Sequence, residues 1–149
     1  MPEGLAPSPP PARRPQSFLS FDFGTRRVGV AVGNELLGRA RGLKSVAAEG
    51  DARFAAIGRL IDEWRPDALV VGVPFHPDGA PHDNTHRARR FARQLQGRFR
   101  LPVHEVDERY TTTEALAEGA TDTDAAAAAL ILEQYLRSLP REDDAGTRR

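Results

Sequence analysis

Three carboxylates spread along the chain have the residue types and settings for metal chemistry. Asp22 lies inside a glycine-punctuated apolar stretch, residues 18–33, and Glu108 and Asp124 follow far downstream. An ionised aspartate among phenylalanines loses hydration that only a partner or a cation can replace. Because the three carboxylates fall on separate predicted elements, they indicate a site for a divalent metal ion.

The donor types narrow the choice of metal. The chain has no cysteine, and carboxylate oxygens suit Mg²⁺ or Mn²⁺ better than Zn²⁺. Two such ions roughly 3.5 to 4 Å apart can activate a water and relieve the charge of a scissile phosphate. We hypothesise that Asp22 bridges the ions while Glu108 and Asp124 each hold one.

Each downstream carboxylate also has a simpler interpretation. Glu108 could be an exposed residue paired with Arg109, and Asp124 could be a helix-start residue favoured by the helix dipole. Asp107 could join the site or terminate its strand, and we favour termination.

Two segments are candidates for binding phosphate. The turn after Asp22 can present backbone and guanidinium donors, from Gly24, Thr25 and Arg26; alternatively, the glycine only makes the turn. Residues 87–100 contain six arginines and no acidic residue. The outer face of this predicted helix carries Arg89, Arg90 and Arg93, which either bind a nucleic-acid backbone or are simply solvated. Arg109, next to Glu108, is a further candidate for binding the substrate.

The histidines offer a weaker signal. His82 and His86 are four residues apart, like some zinc pairs, but they straddle a predicted helix start and no third ligand is evident. We interpret them as loop residues. His76 lies in the proline-rich loop 74–84 and could approach a substrate.

Composition limits the class of protein. With 149 residues the chain most simply holds one domain, at 17–139, between a proline-rich leader (1–16) and a polar tail (140–149). Without cysteine, disulfides and thiolate metal sites are excluded. No apolar stretch approaches the roughly 20 residues of a membrane span, and no secretory signal is evident, so we expect a cytoplasmic protein. The 21 basic and 21 acidic residues cancel, so any polyanion must be bound by local patches.

Hydrophobic periodicity predicts a mixed α/β sheet with helices on its faces. Strands are predicted at 18–23, 28–32, 39–46, 68–73 and 102–106. The first helix is predicted at 51–64. A second follows a cap at Asp83, Asn84 or Thr85, and a short third one begins at a capping box of Thr111 and Glu114. A final helix begins near Asp124 and is expected to bury Leu130, Ile131, Tyr135 and Leu139. Ligands bind at the carboxyl ends of strands in such sheets, which would bring Asp22 and Glu108 to one edge.

The ordered motifs resemble those of the YqgF family, also called RuvX-like, whose members are described as Holliday junction resolvases or as nucleases maturing the 5′ end of pre-16S ribosomal RNA. The resemblance covers 18–139. It is carried by 21–33, 67–74, 78–79, 89–92, 106–112 and by Asp124 followed by 127–128 and 130–132. It implies a ribonuclease-H-like fold, with three antiparallel and two parallel strands and helices on both faces, and catalytic carboxylates at Asp22, Glu108 and Asp124.

From this resemblance we expect a metal-dependent endonuclease acting on pre-16S rRNA, or alternatively a resolvase of branched DNA. A resolvase would act as a homodimer, whereas an RNA-processing nuclease could work as a monomer. One departure from the family pattern is the short segment 113–123, which carries no positive charge and would suit a nucleic-acid-binding or ribosome-assembly module without catalysis. Sugar-kinase and actin-like ATPases also place Asp-x-Gly-Thr on a first hairpin, but they need a second domain.

Overall fold

The structure, a computed structural model, describes residues 14–110 and 122–140. Its strands are β1 (Ser17–Asp22), β2 (Val28–Asn34), β3 (Arg39–Val46), β4 (Ala68–Val73) and β5 (Val103–Asp107). Its helices are α1 (Gly50–Trp64), α2 (Asp83–Phe99) and α3 (Thr123–Ser138), with a 3-10 turn at Glu108–Tyr110. The capping box expected at Thr111 and Glu114 lies outside the described residues.

The strands form one mixed sheet in the order β3-β2-β1-β4-β5. β1 pairs antiparallel with β2, and β2 antiparallel with β3. β4 runs parallel to both β1 and β5. The prediction of three antiparallel and two parallel strands is confirmed, and β4, buried along its whole length, has the continuous apolar sequence of a strand covered on both faces.

Alternating residues of β1 feed two separate cores, one on each face of the sheet. Leu19 and Phe21 pack with α1 and α2, whereas Phe18 packs with α3. The hydroxyl of Ser20 also faces α3, where it donates a hydrogen bond of 2.7 Å to the carbonyl of Ala128. The period-two pattern of the sequence therefore assigns Asp22 to the α3 face.

The start of α2 differs from the sequence-based expectation. The N-cap is His82, whose side chain accepts a hydrogen bond from the backbone N–H of Asn84 at 3.1 Å. The hydroxyl of Thr85 accepts from the N–H of His82 at 3.0 Å and donates to the carbonyl of Pro74. The expected cap at Asp83, Asn84 or Thr85 was placed too late, because histidine is an uncommon cap.

The buried stripe of α3 also differs from the expected one. The helix buries Ala125, Ala128, Ile131, Leu132 and Leu136, whereas the expected Leu130, Tyr135 and Leu139 are only partly covered. The two small alanines bring the start of the helix close to the sheet. The buried face of the helix therefore includes them, whereas a prediction based on large apolar residues selects a different face.

Residues 14–16 already contact the domain. Arg14 forms an ion pair with Asp67, whose carboxylate also accepts from the backbone N–H of Ser17 at 2.8 Å. The N–H of Gln16 donates to Glu35 at 2.9 Å. Within the described part of the chain, none of the helices combines the length and the apolar character needed to cross a membrane.

Candidate active site

One row of residues crosses the sheet on the α3 face at the carboxyl end of β1. Asp22 is paired with Gly29 of β2 on one side and with Gly72 of β4 on the other. Beyond them, Gly29 is paired with Ser45 and Gly72 with Val106. The acidic side chain of this row thus lies between two glycines, which leave open space beside it.

That space is taken by the two other candidate carboxylate residues. A Cβ atom on Gly72 would lie 2.5 Å from Oε1 and 3.0 Å from Cγ of Glu108. A Cβ atom on Gly29 would collide with the backbone carbonyl of Asp124 and lie 2.9 Å from the amide nitrogen of Ala125. At Gly29 the close atoms belong to the backbone, which cannot move aside, so β2 needs glycine for the start of α3 to approach. At Gly72 the close atoms are side-chain ends, those of Glu108 and of Ile131, whose Cδ1 would lie closer still, and both side chains would have to shift.

Asp22 and Glu108 form a hydrogen-bonded pair of carboxyl groups at this edge. Burial raises the pKa of Glu108 to about 8, with the negative charge of Asp22 and their mutual hydrogen bond adding to the effect. Burial also raises the pKa of Asp22, against the hydrogen bond that it accepts from Glu108. Without a cation the pair therefore keeps a proton at neutral pH, because two poorly hydrated carboxyl groups that share a hydrogen bond cannot both be ionised.

Asp124 is placed next to this pair by the first turn of α3. Its negative charge contributes to the raised pKa of Asp22. Its Oδ2 atom accepts from the hydroxyl of Ser45 at 3.2 Å and forms an ion pair of 3.2 Å with Nε of Arg27. The N-cap Asp122 fixes the helix start by accepting from Ser45 at 2.7 Å and from the N–H of Ala125 at 3.0 Å.

These contacts bring two of the three carboxylates together and hold the third beside them, bound to Arg27. Across residues 14–110 and 122–140, no three acidic or histidine side chains are already grouped closely enough to hold a metal ion. The donor chemistry nevertheless fits a hard divalent cation, because Asp22 and Glu108 have no basic partner among the described residues and repel each other when ionised. Joint ligation by Asp22, Glu108 and Asp124 stays a prediction.

The two residues that flank Glu108 in sequence bind each other. Arg109 binds Asp107, with Nη2 2.7 Å from Oδ2, and this contact lowers the pKa of Asp107. The simpler interpretation of Glu108, exposed and paired with Arg109, is wrong. Asp107 ends β5, as expected.

The turn after β1 keeps its candidate donors at the surface. A Cβ atom on Gly24 would lie 2.5 Å from the carbonyl oxygen of Arg27, so the glycine is needed by the turn itself. Thr25 and Arg26 are exposed. The carbonyl of Thr25 accepts a hydrogen bond of 3.0 Å from the buried Arg53, which anchors the turn to α1.

The arginines of α2 divide into bound and unbound groups. Arg89 is 3.3 Å from Glu105 and places its guanidinium 5.2 Å from the centre of the Phe75 ring. Arg90 and Arg93 are exposed, and no carboxylate among the described residues forms an ion pair with either. Of the three arginines expected on the phosphate-binding face, Arg89 thus already contacts a carboxylate, and only Arg90 and Arg93 do not.

The structure assigns His82 and His86 to the start of α2. His82 is occupied as the helix cap, and its ring lies 4.7 Å from that of His76. His86 is exposed one turn into the helix. The interpretation of His86 as a loop residue is therefore wrong, because the helix begins before it.

Sequence reasoning missed five residues that shape the site: Gly29, Gly72, Ser45, Asp122 and Arg27. Only the two glycines gave a signal, because a glycine inside an apolar strand often marks a close approach of another group. Ser45 and Arg27 are ordinary in sequence and become informative only when β3 and the turn meet the start of α3.

The chain is highly similar in sequence to several known proteins. A protein of Albidiferax ferrireducens named "Putative pre-16S rRNA nuclease" is 69% identical over 124 residues, which is 83% of this chain and 80% of that protein. One from a Polaromonas species with the same name is 65% identical over 125 residues, 84% of this chain and 91% of that protein. The chain therefore aligns with four fifths or more of each of these relatives.

A solved structure supports the fold. The structure titled "T. thermophilus RuvC in complex with Holliday junction substrate" matches with a TM-score of 0.53 at 14% identity, over 81% of this chain and 93% of that one. At this identity the likeness concerns the fold alone, which is ribonuclease-H-like as expected. The family model described as "RuvX: Holliday junction resolvase" matches residues 16–138, almost the whole described domain, and the chain belongs to the RuvX family.

Proposed function

We propose that this protein is a metal-dependent endonuclease that hydrolyses phosphodiester bonds, and that its natural substrate is the 5′ end of pre-16S rRNA. The observation that carries the proposal is the pair of Asp22 and Glu108, two carboxyl groups held together at the carboxyl edge of the sheet with no basic partner among the described residues. A structural ion pair would place a cationic side chain here, whereas a metal site needs the carboxylates to be free for the ion.

The residues of the row have separate tasks in this proposal. Asp22, Glu108 and Asp124 would together hold Mg²⁺ or Mn²⁺. A bound ion of this kind supplies water activation and neutralises the charge of the scissile phosphate. Ser45 keeps Asp124 beside the site, and Arg27 pairs with the Asp124 carboxylate while no metal is bound. The proton that Glu108 retains at its raised pKa keeps the metal-free pair from repelling.

Substrate contacts are proposed at the surface around this edge. Gly24, Thr25 and Arg26 offer backbone and guanidinium donors on the turn that follows Asp22. Arg90 and Arg93 of α2 are available to bind phosphates. The other two candidates, Arg89 and Arg109, already bind carboxylates, and a phosphate would have to replace Glu105 and Asp107 at these guanidinium groups.

The relatives support pre-16S rRNA as the substrate, since both similar proteins carry that name. Such a substrate would be met in the cytoplasm. The family description instead favours a second candidate, resolution of Holliday junctions. A resolvase would act as a homodimer and cut two strands symmetrically, whereas a single copy suffices to trim RNA.

A cleavage assay offering both substrates tests the proposal. A pre-16S 5′ leader and a four-way DNA junction are incubated separately with the protein and Mg²⁺ or Mn²⁺. We expect the leader to be cut by the wild type and left intact by Asp22→Asn, while Asp62→Asn, an exposed change on α1, keeps full activity. Unchanged cleavage by Asp22→Asn refutes the site. Binding without cleavage of either substrate would instead favour a nucleic-acid-binding or ribosome-assembly module.

A further inference from the structure

A second surface feature lies on the opposite face of the sheet, between α1 and α2. It is an open groove of about 330 Å³, within the range of about 300 to 1,000 Å³ usual for ligand sites. Three phenylalanines and three arginines define it: Phe23, Phe54, Phe91, Arg53, Arg87 and Arg90. None of the lining residues is acidic.

The apolar floor of the groove is continuous. The rings of Phe23 and Phe91 are 5.2 Å apart with a tilt of 42°, and Phe54 lies 5.9 Å beyond Phe91. Phe54 and Phe91 belong to the core, but Phe23 is only partly buried. The guanidinium of Arg53 lies 5.6 Å from the centre of the Phe23 ring, so an aromatic ligand would contact the part of the ring that Arg53 and Phe91 leave exposed.

The wall of the groove contains a buried positive charge. Arg53 is 6% exposed, and it donates to the carbonyls of Ala48 at 2.8 Å and Thr25 at 3.0 Å. No carboxylate in the described ranges forms an ion pair with it, although the charge of Glu49 acts from nearby. Burial lowers the pKa of Arg53, so an incoming anion would stabilise this guanidinium.

Two further cations stand at the rim. Arg87 and Arg90 are exposed on α2. Arg87 donates to the side chain of Asn84 at 3.1 Å, a neutral partner, and Arg90 has no carboxylate partner within the described part of the chain. Aromatic rings interleaved with arginines are typical of surfaces that bind single-stranded nucleic acid, because bases stack on the rings and phosphates pair with the guanidinium groups.

We propose that this groove binds one nucleotide unit of a single-stranded nucleic acid, with its base against Phe23 and its phosphates at Arg87 and Arg90. Phe23 directly follows Asp22, so the groove and the carboxylate pair lie on opposite faces of the same sheet edge. A strand seated in the groove would reach the carboxylates around the turn that Arg53 anchors. The role as a substrate track rests on the proposed nuclease function, whereas the binding itself does not.

Binding of an RNA of about ten nucleotides that carries a 2-aminopurine base tests the proposal. The measurement uses full-length Asp22→Asn protein in EDTA, so that cleavage does not interfere. We expect 2-aminopurine fluorescence to be quenched on binding, and Phe23→Leu to remove the quenching and weaken affinity about 10-fold, in line with base–aromatic stacking. Circular dichroism confirms that the leucine variant is folded.

The surface arginines provide a test that is independent of the core. Each phosphate that a protein neutralises on a single strand contributes about 0.7 to the slope of log affinity against log salt. Replacing two phosphate-binding arginines, in Arg87→Gln/Arg90→Gln, should therefore reduce the slope by about 1.4. The matched control Arg59→Gln removes an exposed charge from α1 and should leave both slope and affinity unchanged.

The outcomes separate the groove from the nuclease site. If Phe23→Leu still quenches and the double arginine variant keeps the wild-type slope, the groove proposal is overturned. It is equally overturned if 5′-AMP binds in the groove and the RNA does not. RNA binding that depends on Phe23 and Arg90, in a wild-type protein that cuts nothing, would uphold the groove and refute the proposed function alone.

Discussion

Replacing Glu108 with glutamine should stabilise the metal-free protein at pH 8 and abolish its response to Mg²⁺. Glutamine keeps the shape and can still donate a hydrogen bond to Asp22, but it carries no negative charge. In the wild type the folded state holds a proton that the unfolded chain has already lost. Because the folded state binds more protons, the free energy of unfolding falls as the pH rises from the pKa of Glu108 in the unfolded chain to its pKa in the folded protein.

The size of the effect follows from the pKa. Glu108 is raised from its ordinary value of 4.5 to about 8, and each pKa unit corresponds to about 1.4 kcal/mol. The metal-free wild type should therefore lose up to about 4 kcal/mol between pH 4.5 and pH 8. The raised pKa of Asp22 acts in the same direction, whereas the lowered pKa values of Asp67, Asp107 and Asp122 matter only below about pH 4.

Urea denaturation in EDTA at pH 5, 6, 7 and 8 measures the difference between wild type and Glu108→Gln. We expect the variant to gain stability relative to the wild type progressively above pH 5. Mg²⁺ at about 100 times its Kd should then add about 2.7 kcal/mol to the wild type at pH 8 and little to the variant. Parallel stability profiles from pH 5 to 8 would show that the two carboxyl groups are not coupled in solution, and the argument for the site would fail.

Three further changes probe the surroundings of the site. Gly72→Ala forces a methyl group against Glu108; it should lower the free energy of unfolding by about 1 to 3 kcal/mol and abolish cleavage. Gly97→Ala, in open space on α2, should instead stabilise the protein by up to about 1 kcal/mol. Thermal denaturation compares the two variants. Arg27→Gln removes a positive charge from Asp124 and should tighten Mg²⁺ binding measured by calorimetry; weaker binding would assign Arg27 a different role. Asp67→Ala removes the acceptor at the start of β1 and should cost about 1 to 2 kcal/mol in urea denaturation at pH 7, a loss that shrinks as the pH falls below about 4.

Local pattern determined most of the framework of this protein. The alternation of residues 18–22 assigned Asp22 to one face, and the unbroken apolar run of β4 indicated a strand covered on both faces. The helical spacing of residues 51–64 located α1 to within one residue of its observed bounds. These signals are short-range, since they depend on the periods of strand and helix and on which side chains avoid water.

Sequence alone also predicted the chemistry, because a carboxylate in an apolar strand is costly without a cation. It could not determine which neighbours the carboxylates would have. The pairing of Glu108 with Asp22 rather than with Arg109, and the contacts of Asp124 with Ser45 and Arg27, join residues far apart in the chain. They depend on the register of β1 between two glycine positions and on how closely α3 approaches the sheet, and only the folded arrangement of all these elements decides such distances.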